Sequence, residues 1–279
     1  MKISVAVPSF NYARYLPQCL DSIRTQIHHN FEVLIADGGS SDGSVEIIER
    51  YCHDDIRFKL VSTEDEGQAD SIFKAFNHAT GDILCFLNAD DCYVDDTVFS
   101  RVVEDFSKNP NVSVLTYGGY YLDADGEIIK KINYRYHPLD SFHWMRFRTA
   151  IIQPATFWQK NVYDPDKWPS NYHFVFDVVF FYNAYLNFKW LESSYPVAGY
   201  RLHGVNKSMS VKSQRIIELA AFEEIKFGKN CLRSKYLLLI SNLVEIFETW
   251  GSIGKKLLKM LYLIVNSLAF ISFYRLPSI

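Results

Sequence analysis

The N-terminal third alternates short apolar, β-branched runs with segments of helical periodicity, and few folds accept that alternation. Ile3–Val7, Phe31–Ala36, Phe58–Ser62 and Ile83–Leu87 read as strands. Between them Leu16, Leu20, Ile23 and Ile27, then Val45, Ile47, Ile48 and Tyr51, recur at helical spacing, and Ala69–Ala79 reads as a third helix. Strands alternating with helices predict an α/β fold with a parallel sheet. Right-handed crossovers carry the loop after each strand to one common edge, where open α/β sheets bind ligands.

Three polar loops stand at that edge. Pro8-Ser9-Phe10-Asn11 follows the first strand and Asp37-Gly38-Gly39-Ser40-Ser41-Asp42-Gly43 the second. Asn88-Ala89-Asp90-Asp91 follows the apolar run that begins at Asp82. Glycines let a backbone turn tightly and approach a ligand. Asp37, at a strand end, suits acceptance of a hydrogen bond from a base N–H, and Asp42 suits a helix cap. The glycine loop has neither G-x-G-x-x-G nor G-K-[ST], so it is no dinucleotide fingerprint or P-loop. Two adjacent acids beside an amide suit a divalent cation held through oxygen, and the same residues also suit a plain turn.

Further along, a helix over Asp96–Phe106 and a strand over Val112–Tyr117 are expected. Tyr120–Asp123 and Glu127–Ile132 flank Ala124-Asp125-Gly126, a hairpin signal. Residues 134–200, broken by Pro138, Pro154, Pro165, Pro169 and Pro196, read as loops, short helices and an added strand. Asp177 is one carboxylate within the apolar run Phe174–Phe181, costly unless partnered or functional. Desolvation there raises proton affinity and suits a general base; an N-cap aspartate is the other reading. Trp158 suits either the core or stacking on a sugar.

The chain divides by charge. From Lys207 onward 11 basic face 5 acidic residues, against 18 and 27 in the remainder. Residues 213–228 and 234–250 look helical, and Leu257–Tyr274 is largely apolar, interrupted by Lys259 and Asn266. That last segment reads as an interfacial helix on an anionic membrane, a helix packed on protein, or a short span. The net charge of -3 argues against a dedicated nucleic-acid binder. Five scattered cysteines without a C-x-x-C pair argue against a disulfide framework and fit a reducing cytosol.

Ser4–Tyr12, Phe31–Gly43 and Thr80-Gly81-Asp82 leading into Asn88–Asp91 together resemble the nucleotide-binding half of an inverting family 2 glycosyltransferase with the GT-A fold. The resemblance covers roughly residues 1–205. It implies that Pro8, Ser9 and Asn11 line the nucleotide pocket and that Asp37 meets the uracil edge. It implies that Asn88-Ala89-Asp90 is the D-x-D-type element. Asn88 would contact the nucleotide or sugar and Asp90 would hold Mn²⁺ or Mg²⁺, with Asp91 the second choice. Glu64–Ala75 resembles a D-x-G-x-x-D-A-x-N-K-G pattern in which Asp65, Gly67, Asp70 and Lys74 match, while Phe73 and Ala75 depart. Asp65 and Asp70 become candidates for donor sugar or ribose, and Lys74 for the diphosphate.

Asp177 resembles the family's catalytic base, although Asn183 stands where that pattern has an arginine. Gln153–Phe157 resembles the acceptor-side loop. Arg201-Leu202-His203 through Ser208 resembles the closing R-x-H-x-x-x-x-S segment, which makes His203 a metal ligand or diphosphate contact and Arg201 and Lys207 phosphate partners. The expectation is a GT-A domain over 1–208 with a basic helical segment over 209–279. It would move a sugar from a UDP-sugar to the hydroxyl of a saccharide or lipid-linked saccharide, in the cytoplasm at the inner membrane face, with contact through 255–275 and oligomers open. A polyprenyl-phosphate sugar synthase and a silent sugar-nucleotide-binding module are the alternatives.

Overall fold

The computed structural model describes residues 1–132, 151–203, 212–229 and 231–249. The first strands, β1 (Ile3–Ser9) and β2 (Phe31–Asp37), are buried along their whole length. Continuous apolar runs of this kind belong in a parallel sheet covered on both faces. β3 (Phe58–Ser62) pairs with β2, and β4 (Ile83–Phe86) with β1, all in parallel. The C-terminal ends of these strands therefore lie side by side, Ser9 directly opposite Asp37.

The helices between them are amphipathic. α1 (Leu16–Arg24) buries Leu16, Cys19, Leu20 and Ile23 along one stripe. Ile27, expected on that stripe, is 52% exposed. The chain leaves the helix at Thr25, and the Asp96 carbonyl takes the Ile27 N–H in place of a helical partner. α2 (Ser44–Asp54) starts after Gly43, whose φ of 96° is a left-handed conformation that favours glycine. α3 (Gln68–Asn77) and α4 (Val98–Lys108) complete this part.

Beyond β4 the sheet becomes mixed. β5 (Cys92–Tyr93), β6 (Val114–Leu122), β7 (Ile128–Ile132), β8 (Thr156–Gln159) and β9 (Trp190–Arg201) extend it in the order β3-β2-β1-β4-β8-β6-β9-β5, with β7 pairing β6. β8 runs antiparallel to β4 and β6, β9 parallel to β6, and β5 antiparallel to β9. β6 and β7 form the expected hairpin around Gly126, at φ 95°.

The long strand β9 is an added strand of the kind expected within residues 134–200, and its 12 residues exceed the short pieces expected there. Glu192-Ser193-Ser194 and Pro196 erase its apolar alternation, and the β6–β9 register shifts opposite Gly118. A Cβ on Gly118 would meet the Ser194 carbonyl at 2.7 Å, so glycine permits the close approach. Trp158 is core, with no exposed surface, and is ringed by Phe76, Phe86, Phe180 and Phe181. The last two belong to α5 (Phe176–Asn187), which carries Asp177.

At the edge opposite the loops, Glu32 is 2% exposed and binds Lys2 Nζ at 2.9 Å, Ser4 Oγ at 2.7 Å and the Thr80 N–H at 2.7 Å. This cluster ties the starts of β1 and β2 to the turn before β4.

The described residues fall into two compact units, 1–132 with 151–203, and the helices that follow. In the second unit α6 (Lys212–Phe227) and α7 (Leu232–Thr249) pack through Ile216, Ala220, Leu237, Ile240 and Val244. Among the described residues no helix is long and apolar enough to cross a membrane. Lys207 and the apolar segment 255–275 lie outside them.

Candidate active site

The loops after β1 and β2 are laced together. Asn11, at φ 56°, accepts the Ser41 N–H on its side-chain oxygen at 2.9 Å and donates its own N–H to Ser40 Oγ at 2.8 Å. A non-glycine residue in that region is uncommon, and asparagine tolerates it best. Ser40 Oγ donates in turn to Asp37 Oδ2 at 2.7 Å. Asp37 is fully buried, and its Oδ1 accepts the Gly39 and Ser40 N–H groups at 3.0 and 2.7 Å. Its carboxylate thus shapes the glycine loop. Beside it Pro8 is buried, and Ser9 Oγ is buried with no hydrogen-bond partner among the described residues.

The loop after β3 leans on this pair of loops. A Cβ on Gly38 would lie 2.9 Å from Asp65 Oδ2, so glycine makes room for that carboxylate. Asp65 Oδ1 accepts the Gly67 N–H at 2.8 Å, and burial pushes its carboxyl upward. Asp70 accepts the Glu66 N–H at 3.0 Å and pairs with Lys74 at 3.0 Å, one helical turn on. Lys74 Nζ also donates to the Glu64 carbonyl.

The segment Asn88–Asp91 meets the end of β9. Asp90 Oδ2 lies 2.9 Å from His203 Nε2, and both residues are 7% exposed. The His203 ring stacks on Tyr15, with centroids 4.7 Å apart, and meets Tyr12 edge-on at 6.0 Å. Asp91 is 1% exposed. Its Oδ1 accepts the Arg201 N–H at 2.9 Å and its Oδ2 the Asn88 amide at 3.3 Å. Burial, and next the Asp90 charge, push the Asp91 carboxyl well up. Both Asp91 oxygens thus accept hydrogen bonds from within the protein. Ala89 is buried between these groups.

Arg201, 1% exposed, turns its guanidinium to protein oxygens. Nε donates to the Asp90 carbonyl at 2.7 Å, Nη1 to the Asp123 and Ala124 carbonyls at 3.3 Å, and Nη2 to Gln18 Oε1. It fastens the metal-candidate loop to the β6–β7 turn.

Among the described residues no group of three or more His, Cys, Asp or Glu side chains is placed to hold a metal. The Asp90–His203 pair offers one carboxylate oxygen and one imidazole nitrogen. Their 2.9 Å separation matches two adjacent corners of an octahedron whose bonds are about 2.1 Å. Mg²⁺ and Mn²⁺ at nucleotide sites take few protein ligands and fill the remainder with phosphate and water. In this structure the two are hydrogen-bonded to each other, so they hold such an ion only by giving up that bond; the imidazole suits Mn²⁺ better than Mg²⁺.

Asp177 lies in the first turn of α5, half-buried, with Oδ1 accepting the Val178 N–H at 2.8 Å. A negative charge is favoured there. The preceding loop reaches the donor side: His173 Nδ1 lies 3.4 Å from where a Cβ on Gly67 would stand. Sequence reasoning did not single out Gln68, Gln18, Tyr12 or Tyr15, and gave Gln153 only as part of a loop. Only the position of Tyr12 and Tyr15 just after the first-strand loop hinted at their proximity to His203.

The family model for glycosyl transferase family 2 matches residues 4–186, and the chain belongs to that family. An uncharacterized glycosyltransferase of Nostoc sp. is 28% identical over 76% of this chain and 68% of its own. A PGL/p-HBAD biosynthesis glycosyltransferase of Mycobacterium tuberculosis is 29% identical over 57% of this chain and 60% of its own. Glycosyltransferase GlyA of Streptococcus pneumoniae is 34% identical over 37% of this chain. The match spans 15% of GlyA, so the chain covers less than two thirds of these last two relatives.

Among solved structures, S. aureus TarS in complex with UDP-GlcNAc superposes with a TM-score of 0.61 at 17% identity, over 96% of this chain and 88% of that one. Mannosyltransferase PcManGT from Pyrobaculum calidifontis, in complex with GDP-Man and Mn²⁺, gives 0.60 at 18%, over 98% and 84%. The fold is GT-A, as the sequence motifs led us to expect.

Proposed function

We propose that this glycosyltransferase moves a sugar from a UDP-sugar to an acceptor hydroxyl with inversion, assisted by Mn²⁺ or Mg²⁺. The observation that carries this reading is the Asp90–His203 pair at the carboxyl edge of the sheet, beside the laced loops of Asn11 and Asp37. Ser9 Oγ, buried without a partner among the described residues, is a ready hydrogen-bonding group for the base. Asp37 sets the loop on which the base rests. Asp65 and Asp70 face the ribose or donor sugar. Lys74 reaches the diphosphate by giving up a surface ion pair that contributes little.

Asp177 takes the proton of the acceptor hydroxyl as its oxygen bonds to the anomeric carbon. The bond from that carbon to the diphosphate oxygen breaks on the opposite face, and the configuration inverts. Asp90 and His203 would hold the divalent cation, which would supply positive charge against the departing diphosphate. Arg201 acts through the Asp90 backbone rather than on phosphate. The acceptor in this reading is a saccharide or lipid-linked saccharide of surface polysaccharide synthesis, and the 11 basic residues from Lys207 onward suit its presentation at a membrane.

Thermal unfolding with UDP, GDP and other nucleoside diphosphates, with and without Mn²⁺, tests the donor site. A ligand at a hundredfold excess over Kd stabilises the folded state by about 2.7 kcal/mol. The expected result is a rise with UDP that needs Mn²⁺ and disappears in Asp90→Ala. A rise with GDP alone overturns the base assignment, and a metal response retained in Asp90→Ala overturns the metal pair.

A further inference from the structure

Asn88 sits at the centre of a chain of side-chain amides that joins three separate parts of the site. Gln153 Nε2 donates to the Phe86 carbonyl at 2.6 Å. Gln153 Oε1 accepts from Asn88 Nδ2 at 3.1 Å, and Asn88 Oδ1 accepts from Gln68 Nε2 at 2.6 Å. Asn88 Nδ2 spends its second hydrogen on Asp91 Oδ2 at 3.3 Å. Gln68 opens α3 on the donor side, and Gln153 opens the turn before β8 on the expected acceptor side.

The direction of this chain is fixed at one end. A backbone carbonyl only accepts, so Gln153 must turn its NH₂ to Phe86 and its oxygen to Asn88. Asn88 must then turn its own NH₂ to Gln153, which leaves its oxygen for Gln68. An aspartate at position 88 has no hydrogen for Gln153 or for Asp91, and it would add a third carboxylate beside Asp90 and Asp91. The amide is therefore required where the family's D-x-D-type element has an acid.

We propose that Asn88, with Gln68 and Gln153, is a positioning relay that couples the acceptor-side turn to the metal loop, rather than a ligand of the donor. The relay rests on the proposed function above for what it positions. Its hydrogen bonds stand without that reading. Through Asp91, whose other oxygen holds the Arg201 N–H, the relay sets the segment that carries Asp90.

Two measurements test it on the full chain. The first is a nucleotide-free double-mutant cycle in equilibrium unfolding with Asn88→Ala, Gln153→Ala and the double variant. The relay predicts that the second substitution costs clearly less once the first is present. Additive losses overturn it. The second is the Kd for UDP in saturating Mn²⁺. The relay predicts at least a threefold loss in Gln153→Ala and at least a tenfold loss in Asn88→Asp. Tighter binding in Asn88→Asp, or wild-type affinity in Gln153→Ala, overturns the relay in favour of a direct ligand role. If wild type binds no nucleotide, the proposed function fails, and the unfolding cycle still decides whether the relay exists.

Discussion

Ser9 carries a hydroxyl buried at the site edge without a partner among the described residues. A buried group of that kind costs stability in the empty protein and gains a bond when a ligand arrives. Ser9→Ala should therefore leave the unfolding free energy unchanged or raise it by up to about 1 kcal/mol, while weakening UDP several-fold. A variant that loses stability and keeps its UDP affinity contradicts this. Serine and aspartate at strand ends were legible from sequence as candidates, and the structure sets Ser9 opposite Asp37 at the end of their strands. Where each polar side chain points was not legible. Asp37 and Arg201 were both expected as ligand contacts; in the structure the Asp37 carboxylate also takes the Gly39 and Ser40 N–H groups, and the Arg201 guanidinium also reaches main-chain oxygens and Gln18 Oε1. Such partners come from segments distant in the chain, so no local pattern announces them. Asp90 with His203 was legible only because both stood in recognisable motifs.

Among the elements, β1 to β4 were legible because parallel buried strands are written as unbroken apolar runs. An added strand was expected where β9 lies, but its place and length were not legible, because the register shifts opposite Gly118 and a proline and two serines interrupt its pattern. The Glu32 cluster shows what joins the legible strands. Burial alone would raise this carboxyl, but bonds from Lys2, Thr80 and Ser4 outweigh it and hold it at about 2, below its ordinary 4.5. The folded value lies below the unfolded one, so the contribution is full above about pH 4.5 and is lost as pH falls toward 2. Its size is on the order of 3 kcal/mol. Unfolding free energies of wild type and Glu32→Gln should differ above pH 5 and converge by pH 2. A constant difference across that range contradicts the assignment.

At the scale of the molecule the acidic N-terminal part and the basic C-terminal part are separate statements in the sequence. The residues from Lys207 onward carry 11 basic against 5 acidic groups. Attraction to an anionic surface is worth about 1 kcal/mol per basic residue near it and fades with salt. Full-length protein should sediment with anionic vesicles at low salt, and a chain ending at Gly254 should not. Equal sedimentation of the two removes the membrane from the proposed acceptor.

One feature of the topology fixes an order in time. β9 is the last strand of the sheet in chain order, yet it lies between β6 and β5, and the residue that meets Asp90 follows it, 113 positions downstream. As the polypeptide emerges from the ribosome, the loops of β1 and β2 can lace together long before that partner exists. Under the proposed function, the nascent enzyme has a pocket for the nucleotide and no complete seat for its cation. A chain arrested before Trp190 should protect β1 and β2 from hydrogen exchange while giving no Mn²⁺-dependent response to UDP; such a response would place the cation elsewhere. Under the same proposal, activity waits until His203 has been made.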